Sequence, residues 1–188
     1  MTLERLRLGS LWVAASVALL GMRPDAAPAQ NNAPVGKLEI QSSSFTQGGS
    51  IPKPNTCDGE DKSPALAWSD PPPGTRSFAL IMDDPDAPGG TFVHWVAYNL
   101  PADARQLPEH VPGNDELQSG GLQGANDFPK IGYGGPCPPR GKPHRYFFKL
   151  YALDTTLNLR AGARKKDLEK EMKSHILAEG TLMGRYGR

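Results

Sequence analysis

Proline and glycine interrupt this chain at short, irregular intervals, with 19 prolines and 21 glycines among 188 residues. A proline inside a helix removes a donor and clashes with the preceding turn, so this density excludes a helix bundle. The apolar runs between the breaks are short and rich in β-branched and aromatic residues. RSFALIM at 76–82, TFVHWVAYN at 91–99 and HRYFFKLYAL at 144–153 read as strands. Shorter strands are expected at 37–43 (KLEIQSS) and 64–68 (PALAW), and a last one at 181–186. One amphipathic helix is expected at 165–178, where Leu168, Met172 and Ile176 recur at four-residue spacing and Gly180 is placed to cap it. Residues 45–60 and 101–130 read as long surface loops. Strands first and a helix late point to a mainly-β fold, an antiparallel β-sandwich with a peripheral helix near the C-terminus.

The length suits one domain with a real core. Twenty-one Lys and Arg against 20 Asp and Glu leave no basic field for nucleic acid. Arg5 and Arg7 followed by the mostly apolar stretch 8–22 read as a signal peptide over residues 1–29, with Ala27-Pro28-Ala29 as the cleavage site. The alternative is an uncleaved anchor helix. No cysteine follows the apolar stretch, which argues against a lipoprotein, and Leu6 between the arginines weakens a twin-arginine signal. A polar leader at 30–36 and a single domain at 37–188 complete the expected organisation. The expected location is exported, periplasmic or secreted, with no transmembrane segment after signal removal. In such a compartment Cys57 and Cys137 are expected to form a disulfide, against the alternative of two loop thiols that never meet.

Two segments carry the polar chemistry. Asp83-Asp84-Pro85-Asp86-Ala87-Pro88 leads into His94-Trp95, and Gly134-Gly135-Pro136-Cys137-Pro138-Pro139-Arg140-Gly141 leads into His144-Arg145-Tyr146. Each sets a stiff Pro/Gly turn beside a strand that carries a histidine. Strand alternation puts His144 and Tyr146 on one face and Arg145 on the other, and groups His94 with Phe92 and Val96. If the strands meet, two imidazoles, a phenol and the N–H groups of Gly134, Gly135 or Cys137 can converge on an anion. Asp84 can orient a histidine or accept a proton or ammonium from the ligand. Plainer readings stand beside these: His94 as a core histidine on a backbone carbonyl, Tyr146 as core, Asp86 as an Asx-turn residue, and Arg145 as an ion-pair partner of a turn aspartate. No His-x-His or Glu-x-x-His spacing supports a metal, and no Gly-x-Ser-x-Gly elbow supports a hydrolytic triad. No cofactor and no catalytic residue is therefore expected, and His110 and His175 are left as surface residues.

These motifs resemble the phosphatidylethanolamine-binding protein family, in its bacterial and archaeal Raf kinase inhibitor-like branch. The resemblance runs from about residue 38 to 186. It is carried also by Thr56-Cys57-Asp58-Gly59, Ser63-Pro64, Trp68, Asn99-Leu100-Pro101, Asn126-Asp127-Phe128 and Gly132-Tyr133. It implies an antiparallel β-sandwich with a small anion pocket near one end. The family's pocket aspartate falls on Asp84, its histidines on His94 and His144, and its tyrosine on Tyr146. Its Gly-x-Gly-Pro-Pro stretch falls on Gly135, Pro136, Cys137, Pro138 and Pro139, with Cys137 in place of the second glycine. Pro129 stands where glycine is expected. The turn at Gly89-Gly90 is shorter than in eukaryotic members, so Raf kinase binding does not carry over. The resemblance implies a binder of a phosphate, phosphoethanolamine-like or other anionic or zwitterionic ligand, such as a phospholipid headgroup. The alternative it offers is an inhibitor or regulator of a protein partner, a protease or kinase. A hydrolase is the weakest reading, because no nucleophile is evident.

Overall fold

The computed structural model describes residues 35–188; the signal segment and most of the leader lie outside them. Nine strands form two sheets: β1 (Gly36–Lys37), β2 (Ile40–Ser42), β3 (Leu66–Trp68), β4 (Ser77–Asp84), β5 (Phe92–Pro101), β6 (Gln106–Leu107), β7 (Leu122–Gln123), β8 (His144–Leu153) and β9 (Ile176–Tyr186). The large sheet has the order β1-β9-β8-β4-β5-β7 and the small one β2-β3-β6. All pairings are antiparallel except β1 with β9. The expected mainly-β sandwich is thus present.

The large sheet is covered on both faces. All eight residues of β4 are buried, which explains its unbroken apolar run where a half-exposed strand would alternate. Phe78, Leu80 and Met82 join Tyr146, Phe148 and Leu150 of β8 and Leu66, Trp68 and Leu107 of the small sheet in one core. Ala79 and Ile81 face the other way, onto Leu168 and Met172 of α1 (Lys165–Met172), the single α-helix among the described residues. Alternation therefore sends the adjacent Asp83 and Asp84 to opposite faces.

Several expected boundaries are corrected. The helix ends at Met172, not at 178, and Ile176 opens β9. Ile176 falls in phase with the helical apolar positions, yet it pairs with Leu153. Gly180 is not a helix cap. It lies within β9, where a β carbon would run into the Leu38 carbonyl, so glycine lets the two chains cross closely. The stretch 37–43 divides into β1 and β2, which join different sheets. Residues 101–130 are not only surface: β6 and β7 lie within them, and Leu107, Leu117 and Gln123 are buried. Two-residue strands are too short for any periodicity to announce. Gln123 accepts a hydrogen bond from the Trp95 indole at 2.8 Å and donates to the Pro112 and Asn114 carbonyls at 2.7 Å each.

Asp83 fastens the helix to the sheet. Its carboxylate is almost fully buried, and Oδ2 accepts from Lys149 Nζ at 2.9 Å and Lys165 Nζ at 2.6 Å. Burial alone would lower the pKa of Lys165, but the Asp83 carboxylate outweighs it and holds that pKa above its ordinary value. Removing the carboxylate takes this partner from Lys149 and leaves Lys165 with the more distant Glu169, at 3.6 Å. Asp83→Ala is expected to cost about 2–4 kcal/mol in urea unfolding. An unchanged midpoint would show that the pairing contributes nothing.

Candidate functional site

One end of the large sheet brings the four predicted side chains together. His144 and Tyr146 project from β8 onto the same buried face, while Arg145 points to solvent. Asp84, the last residue of β4, reaches His144: its Oδ2 accepts a hydrogen bond from His144 Nδ1 at 2.8 Å. His94 comes from β5, and its ring meets the Tyr146 ring edge-on with centroids 5.1 Å apart.

A β-bulge aims His94. Met82 pairs with Trp95 and Asp83 with Val93, so His94 is an extra residue opposite no partner. Beyond the bulge the alternation is reset. Trp95 joins the inter-sheet core, while Val96 goes to the helix side. The expected grouping of His94 with Phe92 holds, with rings 5.2 Å apart, but Val96 does not share their face. The reason is the extra residue, which simple alternation cannot foresee.

The imidazole of His94 is held from one side. Nδ1 donates to the Gly134 carbonyl at 2.7 Å, and the Gly134 N–H donates back to the His94 carbonyl at 2.9 Å. The expectation of a histidine satisfied by a backbone carbonyl is therefore met within the site itself. Burial pushes the His94 pKa below its ordinary value, against the opposing pull of the Gly134 carbonyl. The ring is thus neutral near pH 7, with Nδ1 carrying the proton and Nε2 its lone pair.

Tyr146 is fully buried, and its hydroxyl has no hydrogen-bond partner among the described residues. Burial first, and then the charge of the Asp84 carboxylate, which approaches the hydroxyl without hydrogen-bond geometry, raises its pKa well above the usual phenol range. A buried hydroxyl in this state costs stability unless something binds it.

Asp84 and Asp86 have different partners. Asp84 makes the Asx turn, with Oδ1 accepting from the Asp86 N–H at 2.8 Å. Asp86 instead takes a bidentate pair from Arg145, at 2.8 Å from Nε and 2.7 Å from Nη2. Those hydrogen bonds lower the Asp86 pKa to about 2. Arg145 is thus the ion-pair partner of a turn aspartate. With both oxygens engaged and only 3% of its surface exposed, Asp84 positions His144 and has no face open to a ligand ammonium.

The Gly135–Pro139 segment forms the wall beside His94. Pro136 and Pro138 are buried, and Cys137 and Pro139 are exposed. The loop at 53–62 clamps this wall. Cys57 and Cys137 form a disulfide, Tyr133 Oη donates to the Asn55 carbonyl at 2.6 Å, and Gly135 N donates to Asp61 Oδ1 at 2.6 Å. A β carbon at Gly135 would lie 2.6 Å from that Asp61 oxygen and 2.8 Å from the Asn55 carbonyl, so only glycine fits. The N–H groups of Gly134 and Gly135 are consumed in these contacts. They do not serve as anion donors, contrary to the sequence expectation.

Nothing in its spacing marks Phe128, yet it packs edge-on against His94 at 5.4 Å and Phe92 at 4.8 Å. Asn126 presents it by accepting from the Phe128 N–H at 2.9 Å and donating to the Gly132 carbonyl at 2.9 Å. Pro129, beside it, has a φ of 25°, a value that glycine takes freely and a pyrrolidine ring opposes. Four concavities of about 350–940 Å³ are lined by other residues. None of the four includes a residue of the quartet.

The description "Phosphatidylethanolamine-binding protein" belongs to the sequence family whose pattern matches residues 41–187. A UPF0098 protein of Aquifex aeolicus is 54% identical over 153 residues, covering 80% of this chain and 89% of the relative. One from Methanothermobacter thermautotrophicus is 48% identical over 151 residues, covering 80% and 99%. Among solved structures, the fold is shared with a phosphatidylethanolamine-binding protein homologue of Chlamydia trachomatis. The TM-score is 0.74 at 37% identity, over 81% of this chain and 99% of that one. It is shared as well with E. coli YbcL, described as a member of the mammalian family, at TM-score 0.76 and 32% identity over 81% and 99%.

Two outcomes follow for the ligand-free protein. Tyr146→Phe removes an unpaired buried hydroxyl and is expected to raise stability by about 1 kcal/mol in denaturant unfolding; a loss of that size would mean that the hydroxyl has a partner. Reduction of the Cys57–Cys137 bridge opens a loop of sequence separation 80 and is expected to cost about 2–4 kcal/mol. Equal midpoints with and without reductant would refute that contribution.

Proposed function

The chain belongs to the phosphatidylethanolamine-binding protein family, and from that premise we propose that it holds the phosphate of a small anionic or zwitterionic ligand, such as a phospholipid headgroup, at His94, His144 and Tyr146. The buried, unpartnered hydroxyl of Tyr146 carries this reading. Beside it stand two imidazoles whose Nδ1 atoms are already committed, to Gly134 and to Asp84. Their Nε2 atoms remain to meet a ligand. Asp84 serves by fixing the ring of His144, and the Gly135–Pro139 wall, stiffened by prolines and clamped to the 53–62 loop, lowers the entropy lost on binding.

The same proposal includes export. Arg5, Arg7 and the apolar stretch at 8–22 support it, and a disulfide suits an oxidising compartment. No helix among the described residues is long and apolar enough to cross a membrane.

Anion capture at a neutral His94 requires a proton on Nε2. Burial holds the pKa of the free ring below 6.5, and a bound anion raises it. Proton uptake therefore accompanies binding, and affinity increases as pH falls through that window. Sulfate, which does not titrate there, is the suitable probe. Calorimetric titration is expected to show binding that strengthens several-fold between about pH 7.5 and pH 5.5, with shifts in both imidazole NMR signals. Tyr146→Phe is expected to weaken it about tenfold. Histidine signals that stay still at millimolar sulfate would sink the proposal.

A further inference from the structure

The Cys57–Cys137 bridge lies at the surface. Both residues are exposed, and neither belongs to either hydrophobic core. A cross-link outside the packed interior is reachable by a thiolate, and exposed disulfides are the ones most open to exchange. Its two halves differ. The Arg188 guanidinium lies 4.0 Å from Cys137 Sγ and also pairs with Asp58 at 2.9 Å, while Tyr186 Oη donates to the same Asp58 carboxylate at 2.7 Å. A cation beside a sulfur stabilises its thiolate. Cys137 is then the better leaving group, and Cys57 is the sulfur that an incoming thiol attacks.

We propose that Cys57–Cys137 is a thiol–disulfide exchange site for a small thiol or a protein dithiol, and that opening it loosens the wall of the anion site. The attacking thiolate forms a new S–S bond to Cys57 as the Cys57–Cys137 bond breaks, and the electron pair leaves on Cys137 as thiolate. The second thiol of a dithiol then displaces Cys57, so the reagent ends as a disulfide and both cysteines are reduced. Opening is local. Tyr133 still holds the Asn55 carbonyl at 2.6 Å, Gly135 still holds Asp61 at 2.6 Å, and Cys57 N still donates to the Pro136 carbonyl at 3.2 Å. The wall stays attached at Gly135, while the stretch from Cys137 to Pro143, which leads directly into His144, loses its anchor.

The coupling to the anion site rests on the function proposed above, so the test has two arms. In the first, native oxidised protein is treated with glutathione, alkylated and mapped by mass spectrometry. The expected product carries glutathione on Cys57 and the alkyl group on Cys137, and R188Q forms it several-fold more slowly. Glutathione on Cys137, an unchanged rate in R188Q, or no adduct until the protein is denatured would overturn the exchange site. In the second, sulfate affinity is compared before and after dithiothreitol. An affinity about 3–10-fold weaker, with an unchanged far-UV spectrum and matched by the Cys57→Ser/Cys137→Ser variant, supports the coupling. Equal affinity overturns it. Oxidised protein that binds no sulfate overturns the anion reading and the coupling together, while the first arm still decides the exchange site.

Discussion

The site depends on the reciprocal contact between His94 and Gly134. The Gly134 N–H meets the His94 carbonyl and the His94 ring meets the Gly134 carbonyl, so a bulged strand residue and a loop are locked in one register. Asn126 Nδ2 adds a longer approach to the same His94 carbonyl, at 3.4 Å. The bulge is what makes the contact available, because it turns the His94 ring toward the wall while the next residue stays in the core. Without it, alternation would place His94 and Trp95 on opposite faces, and one of them would be lost to its present role.

The paired aspartates at the end of β4 show how one strand serves two purposes. Asp83 faces α1 and is neutralised by Lys149 and Lys165; Asp84 faces the inter-sheet side and orients His144. Both are buried, and each is compensated by a donor on β8, Lys149 for Asp83 and His144 for Asp84, with Lys165 of α1 added for Asp83. A buried carboxylate without such partners would be protonated or would destabilise the fold. The structural pair and the site pair are thus coupled through two adjacent backbone positions, and a shift in the end of β4 would disturb both.

Much of this was legible beforehand. Strand β8 matches its apolar run at both ends, because ten aromatic and alternating residues leave no competing pattern. Separation of Arg145 from His144 and Tyr146 needed only the two-residue period, and the stiff Pro/Gly turns marked where polar side chains gather. Less was legible where the signal was short or degenerate. β6 and β7 have two residues each, and Ile176 suits a helix and a strand equally. Asp61 lies far in sequence from both polar segments and Phe128 just ahead of the second, and both reach the site through loop geometry. The Asn-Asp-Phe run was the signal that could have pointed to Phe128.

The sequence by itself determined the mainly-β class, the strand faces within β8 and the chemical kinds of side chain present at the site. These follow from local sterics and from side-chain periodicity, which act over a few residues. Tertiary structure decided the rest: which N–H groups are already spent, which imidazole nitrogen is committed, that Asp84 supports His144, and that Tyr146 is left without a partner. Each of these depends on where a remote carbonyl or carboxylate comes to lie. Hydrogen-bond satisfaction is a property of the packed molecule, and no window of neighbouring residues contains it.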